Sequence, residues 1–361
     1  MHHILVLGAG NIGSLITFLL AHSNDYYVYL ADLTPDNPHL ARLGKLPNFE
    51  PIAIDATDTH AVAAFIKKKK ITLLVSSLPF YFNIPIATLA STFNLHYFDL
   101  TEDVKTTQGV RELSKKTTGT FVPQCGLAPG FISIVAHDLM RHFPMLDTVK
   151  MRVGALPTNI SNALQYSLTW STDGLINEYG NACPSVKDSQ EVNLAPLEDL
   201  EEIKIDGLTY EAFNTSGGIG SLVHAYRGKI KNLSYKTIRY PGHCQKMRFL
   251  MNDLLLNDDR ETLKRILEHA IPKTYQDVVL VYVSVTGTKN NIFVEEHYVK
   301  KFYPKVIHGL KWSAIQLTTA SSVCAAIDLV IHHPKKYHGF VRQEQFPFDE
   351  VLKNRFGRYF A

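Results

Sequence analysis

The sequence predicts an α/β fold in two parts. A parallel sheet with helices occupies the first 125 or so residues, and a second α/β domain on a mixed or antiparallel sheet follows. Three observations predict this. Short apolar strands alternate with helical stretches up to about residue 125, the pattern of βαβ units. A glycine-rich turn separates the first strand from the first helix. Beyond Gly130 longer alternating segments appear, as expected of a sheet with one face covered.

The strands of the first part are expected at residues 3–7, 26–31, 50–54, 71–76, 96–100 and 120–123. Helices are expected at 14–21, 60–69, 84–93 and 111–116. Six parallel strands make up the full dinucleotide-binding sheet. In the second part, 148–156, 164–170, 202–205, 208–212, 278–287 and 293–299 read as strands, and 247–255 and 261–270 as helices. Between them runs a Gly/Asn/Ser-rich stretch to about residue 221. A long helix of small and apolar residues at 313–331 is expected to pack back on the first domain. The expected boundaries are therefore 1–125, 126–312 and 313–361.

Composition narrows the partners. The 361 residues are 45% apolar and 20% charged, which excludes a disordered chain. A net charge of +3 is no footprint of nucleic-acid binding. The four cysteines, Cys125, Cys183, Cys244 and Cys324, show no C-x-x-C spacing, which speaks against a zinc site and fits a reducing cytoplasm. The uncharged amino terminus lacks the positive region of a signal peptide, and glycines interrupt it. No other run is expected to span a membrane.

Gly8-Ala9-Gly10-Asn11-Ile12-Gly13 carries the G-x-G-x-x-G spacing between a strand and a helix. Gly8 permits the tight turn, Gly10 lets backbone approach a pyrophosphate, and Gly13 lets helix and sheet lie close. The helix amino terminus then faces the anion, with Asn11 and Ile12 in the turn that leads into it. Asp32 ends the second strand 19 residues after Gly13, where a carboxylate binds ribose hydroxyls. Together these predict a Rossmann-type domain binding NAD. NADP is the second choice, because Asp32 repels a 2′-phosphate and Leu33-Thr34-Pro35 offers no arginine; Arg42 lies ten residues on. Asp55-Ala56 ends the third strand, beside the adenine or as a helix cap. Ser76, Ser77 and Leu78 end the fourth strand, beside the nicotinamide half.

Several segments then become recognisable: Ser77-Leu78-Pro79-Phe80-Tyr81-Phe82-Asn83, Tyr97-Phe98-Asp99-Leu100-Thr101-Glu102-Asp103, Pro123-Gln124-Cys125-Gly126-Leu127-Ala128-Pro129-Gly130, Trp170-Ser171, 211–218 and 235–243. Over nearly its whole length the chain resembles the saccharopine dehydrogenase family, which includes saccharopine reductases and lysine 6-dehydrogenases. The resemblance implies a dinucleotide domain and an α/β substrate domain, a homodimer, and oxidation at an amine-bearing carbon of an amino acid. Glutamate-forming reductases often use NADP, so Asp32 is a departure that favours a catabolic or lysine-oxidising direction. A carboxynorspermidine-like polyamine reductase and a non-catalytic NAD-binding sensor or scaffold are the alternatives.

An amino-acid substrate brings a carboxylate, and arginine binds one bidentately. Arg239 is the first candidate, with Tyr240, Thr215 and Ser216 as nearby hydrogen-bonding groups and Tyr81 added from the first segment. Lys236 neutralises a carboxylate or is a surface lysine. Gly217-Gly218 allows close approach of a ligand or a tight turn. For the proton, His243 has a suitable intrinsic pKa. Asp99, Glu102 and Asp103 end the fifth strand, as proton acceptors or caps. Cys125 is placed as a wall of the site or a substrate contact. No metal-ligand spacing is present.

Overall fold

A computed structural model describes every residue of the chain except Pro35 and Asp36. Its contacts divide it into two units, Met1–Leu127 with Gln316–Ala361, and Ala128–Ile315.

The first unit runs β1 (His2–Leu7), α1 (Asn11–Ala21), β2 (Tyr26–Asp32), α2 (Pro38–Leu43), β3 (Phe49–Ala53), α3 (Thr59–Lys69), β4 (Leu73–Ser76), α4 (Asn83–Thr92), β5 (His96–Asp99), α5 (Val104–Ser114) and β6 (Phe121–Val122). The strands pair in the order β3-β2-β1-β4-β5-β6, and every pair is parallel. This is the doubly wound order of the dinucleotide fold. Ile4–Leu7 and Leu73–Val75 are fully buried, as strands covered on both faces must be. The helix starts follow from the sequence. Asp58 accepts the N–H groups of His60 and Ala61 to cap α3. At the other end Lys67, Lys68 and Lys69 occupy the last turn, and Lys70 takes the left-handed conformation that ends the helix.

The second unit runs α6 (Phe131–Met140), β7 (Met145–Pro157), α7 (Thr172–Gly180), β8 (Cys183–Lys187), β9 (Gln190–Leu194), β10 (Glu201–Ile205), β11 (Leu208–Asn214), α8 (Leu222–Tyr226), β12 (Asn232–Arg239), α9 (His243–Arg248), α10 (Arg260–Ala270), β13 (Asp277–Lys289), β14 (Ile292–Phe302), β15 (Lys305–Ile307) and β16 (Leu310–Trp312). Its main sheet is mixed, ordered β10-β11-β12-β7-β13-β14, with β12 and β7 parallel and the other neighbours on this path antiparallel. Two expectations fail here. Residues 164–170 form no strand but a loop with one isolated bridge, Leu168 to Lys273. Asn162 Nδ2 donates to the carbonyl of Tyr166 at 2.6 Å, a local side-chain bond of the kind that competes with ladder pairing. The helix expected at 247–255 instead begins at His243 and ends in a π-helical turn over Phe249–Asp253. The Gly/Asn/Ser-rich stretch also holds α7, β8 and β9, elements too short to show a period.

The chain then returns through α11 (Ala314–His332) and α12 (Phe348–Lys353). Asp277 accepts the N–H groups of Ala314 and Ile315 at the start of α11. By length and composition α11 is apolar enough to cross a membrane, contrary to expectation, although 89% of the qualifying window is buried in the fold. Within the first unit Asp328 of α11 accepts bonds from Tyr26, Asn354 and Arg355. Further along, Phe121 donates to Gly339 O, and Thr120 Oγ1 donates to Tyr337 O.

Candidate functional site

In the first unit the glycine turn joins β1 to α1. Gly8 has φ +98°, and a Cβ there would lie 2.8 Å from Ser77 O and 3.1 Å from Leu78 Cδ2. Gly13 is tighter still, since its Cβ would meet Gly8 O at 1.9 Å. A Cβ on Gly10 meets nothing within 4 Å. The three glycines thus do three jobs: Gly8 and Gly13 are demanded by packing, whereas Gly10 borders open space. No side chain caps α1, and its first turn carries no acidic group. The N–H groups there are oriented as a pyrophosphate needs them. Asp32 closes the other side. Its Oδ2 accepts the Ala9 N–H and its Oδ1 the Leu33 N–H, both at 2.8 Å. A carboxylate has about four lone-pair sites, so acceptor capacity remains for ribose hydroxyls. The residues present therefore fit a dinucleotide.

The structure thus gathers Gly8, Gly10, Asn11, Ile12, Gly13, Asp32, Ser77 and Leu78. Pro35, part of the argument over the ribose, lies outside the described residues. Ser76 turns inward and donates to Asn83 Oδ1 at 2.6 Å. Asp55 accepts both the N–H and the hydroxyl of Thr57, which holds its carboxyl below the usual range. It forms an exposed turn at the end of β3 with Ala56 beside it, and Asp58, not Asp55, caps α3. Tyr81 is exposed in a short 3-10 turn between Phe80 and Phe82. Sequence reasoning missed Gln316, whose Nε2 donates to Asn11 O at 3.1 Å; nothing local marks a residue 305 positions away.

The acid–base candidates fare differently. Asp99 is completely buried, with Oδ1 accepting Thr101 N and Gln124 N, both at 3.0 Å, and Oδ2 accepting Tyr97 Oη at 2.9 Å. Burial pushes its carboxyl up to about 6 against the pull of those three bonds. It pins the β5 and β6 ends together rather than presenting an open edge. Asp103 Oδ1 accepts Thr106 N at 2.7 Å and caps α5. Cys125 is buried, and desolvation pushes its thiol well up. Its Sγ donates to Val122 O at 3.0 Å and accepts from Gln343 Nε2 at 3.2 Å, so the expected substrate contact is filled by the protein itself.

The second unit holds the arginine. Arg239, at the end of β12, is 3% exposed. Its Nε donates to Tyr179 Oη at 2.8 Å and its Nη1 to Ile238 O at 2.9 Å. The Tyr166 ring lies 5.0 Å from the guanidinium carbon and the Tyr179 ring 5.8 Å. None of the ion pairs among the described residues includes Arg239, in contrast to buried Arg152 and Lys236, which share Glu201. The buried Glu178 carboxylate favours the Arg239 charge from a distance, but a buried cation without a direct partner stays costly unless a ligand supplies one.

Its expected companions divide. Thr215 Oγ1 meets Thr237 Oγ1 at 2.9 Å, on the strand that carries Arg239. Ser216 bonds the backbone of α7 at Asn177 and Glu178, the helix that carries Tyr179. Tyr240 is not at the site. It donates to Pro157 O and packs with Tyr210 in a separate core cluster, because alternate residues of a strand face opposite sides. Lys236 is spent on Asp199 and Glu201. A Cβ on Gly218 would strike the Tyr235 ring at 2.2 Å, so packing requires that glycine. His243 does not suit a proton shuttle. Both ring nitrogens are engaged, with Leu164 O and Tyr179 Oη. Desolvation and the Arg239 charge lower it to about 3.

Comparison with known proteins agrees with this architecture. The saccharopine dehydrogenase NADP binding domain matches residues 4–121, and the saccharopine dehydrogenase C-terminal domain matches 126–358. A relative in Pyricularia oryzae, named saccharopine dehydrogenase [NADP(+), L-glutamate-forming], is 23% identical over 288 residues, 73% of this chain. The match spans 61% of that protein's length. The solved structure of apo saccharopine dehydrogenase (L-Glu forming) from Saccharomyces cerevisiae superposes with a TM-score of 0.77 at 16% identity, covering 99% of this chain and 98% of that one. The dinucleotide turn, the six-stranded parallel sheet and the mixed-sheet second unit are those of one family, and this chain belongs to it: the saccharopine dehydrogenase family.

Proposed function

We propose that the protein is a nicotinamide-dinucleotide-dependent oxidoreductase acting on the C–N bond of an amino-acid substrate, of the saccharopine dehydrogenase or lysine 6-dehydrogenase type. The observation that carries the proposal is Arg239: a buried guanidinium with two aromatic rings against it and no direct ion pair among the described residues, the buried Glu178 carboxylate acting on it only through space. A substrate carboxylate completes that environment with a bidentate pair. When bound, the nicotinamide supplies the hydride acceptor. This chain supplies binding and orientation. Asp99, Cys125 and His243 are enclosed, and Asp103 is a cap, so none of the four is assigned as the proton acceptor.

For the dinucleotide, Asp32 favours NAD although the family domain and the Pyricularia relative are named for NADP. Its carboxylate stands where a 2′-phosphate would add like charge.

The test is turnover, read by the absorbance of reduced nicotinamide, with saccharopine, lysine and carboxynorspermidine offered separately. A reaction near pH 9 keeps part of a lysine-type amine neutral, its pKa being about 10.4. One amine turning over fixes the substrate class. Arg239→Met is expected to raise its KM at least about tenfold, the effect of losing about 1.4 kcal/mol of binding, with dinucleotide affinity unchanged. Binding of dinucleotide without turnover of any amine overturns the proposal.

A further inference from the structure

The polar contacts around Arg239 run in one direction only. Leu164 O is a carbonyl and accepts, so His243 Nδ1, 2.8 Å away, carries a proton. Burial and the neighbouring cation keep the ring neutral, and a neutral imidazole has one N–H. Nε2 is therefore an acceptor. Tyr179 Oη, 3.2 Å from it, spends its single proton there. The phenol oxygen is left as an acceptor, and Arg239 Nε donates to it at 2.8 Å. Guanidinium at one end cannot accept, and carbonyl at the other cannot donate, so no bond in the series reverses.

This series does more than fill space. A guanidinium has five N–H donors. Tyr179 and the Ile238 carbonyl take two, one on Nε and one on Nη1. The three left over all sit on Nη1 and Nη2, the pair that forms a fork for a carboxylate. The Tyr166 and Tyr179 rings flank the guanidinium, and the bond to Tyr179 fixes its rotation. We propose that Tyr179 and His243 are positioning residues that lock Arg239 with its Nη fork turned to a substrate carboxylate. The inference rests on the amino-acid reading for the identity of the ligand, but not for the bond order itself.

Two measurements decide it. Imidazole nitrogen NMR of the full-length protein at neutral pH is expected to show His243, assigned by its loss in His243→Gln, as the Nδ1–H tautomer. Its Nε2 signal is expected to move in Tyr179→Phe. The Nε2–H tautomer, or an imidazolium, overturns the series. In kinetics, Tyr179→Phe keeps the ring but removes the phenol. The KM for the amine substrate is expected to rise at least about tenfold, while kcat changes by less than about threefold and dinucleotide Kd stays unchanged. His243→Leu acts in the same direction. His243→Gln, whose Oε1 still accepts from Tyr179, recovers most of the loss. An unchanged KM in Tyr179→Phe, with Arg239→Met impaired, shows that the fork needs no lock and overturns the proposal. If no amine turns over while His243 shows the expected tautomer, the carboxylate half falls with the amino-acid reading and the bond order stands.

Discussion

Asp32 and Ala9 are 23 residues apart, yet the Ala9 N–H donates to Asp32 Oδ2 at 2.8 Å, so the carboxylate on β2 holds the glycine turn. One side chain thus shapes the loop and, in the proposed binding mode, supplies the charge near the ribose. Asp32→Asn is expected to fold, to bind NAD about tenfold more weakly, a loss of about 1.4 kcal/mol, and to bind NADP more tightly. Titration of both dinucleotides into wild type and variant checks this. Wild-type preference for NADP defeats the reading.

The glycines separate stability from binding. Gly13→Ala drives a Cβ to 1.9 Å from Gly8 O and must displace backbone. A loss of about 1–3 kcal/mol is expected, the usual range for overpacking, together with loss of dinucleotide binding. Gly10→Ala meets no protein atom, so its melting temperature is expected to hold while dinucleotide affinity falls. Calorimetry beside a binding titration distinguishes them, and equal melting losses contradict the assignment.

Asp99 gives a pH signature. Its carboxyl titrates at about 6 when folded against 3.8 unfolded. The folded state therefore holds the proton more tightly, and this contribution to stability is present below about pH 4 and lost as pH rises through 6. The span corresponds to about 3 kcal/mol. In Asp99→Asn the Oδ1 acceptor for Thr101 and Gln124 survives, and Tyr97 Oη turns to accept from Nδ2. The variant is expected to lack this fall between pH 4 and 6 in denaturant melts. A wild-type profile matching the variant's sinks the claim.

All four cysteines are unpaired and buried, and burial raises the Cys125 and Cys324 thiols well above their ordinary range. Thiolate is the reactive form. In the native protein a thiol reagent at pH 8 is expected to label none of them rapidly, and all four after denaturation. Fast native labelling of Cys125 would restore it as a ligand-facing residue.

The first unit was largely legible because its signals are local. A glycine spacing, a carboxylate at a strand end and alternating short strands and helices each act within about 30 residues. Arg239 was also reachable, since a carboxylate calls for a guanidinium. What stayed hidden depends on distant partners. Tyr179 lies 60 positions from Arg239, and its role comes only from the fold. Asp99 and Cys125 end strands where ligands commonly bind, yet Thr101, Gln124 and Gln343 occupy their polar atoms. Tyr240 was misplaced by sequence adjacency, because neighbours on a strand face opposite sides. Asp103 takes its alternative reading as a cap, whereas the cap offered for Asp55 falls to Asp58 three residues on, and Asp55 closes a turn with Thr57.

The first unit is sewn from both ends of the chain: Asp328 and Arg355 clasp Tyr26 and Asp25, and Gln343 grips the carbonyl of Pro123. On a ribosome, residues 128–315 emerge as one continuous stretch before those late partners exist. The mixed-sheet unit is therefore able to fold while the nucleotide unit is still short of its clasp, whose contacts close loops of 220 positions (Pro123 to Gln343) and 302 positions (Tyr26 to Asp328) and so carry a large closure entropy. A truncation that spares every glycine of the turn yet removes the last helices strips the dinucleotide site of its support.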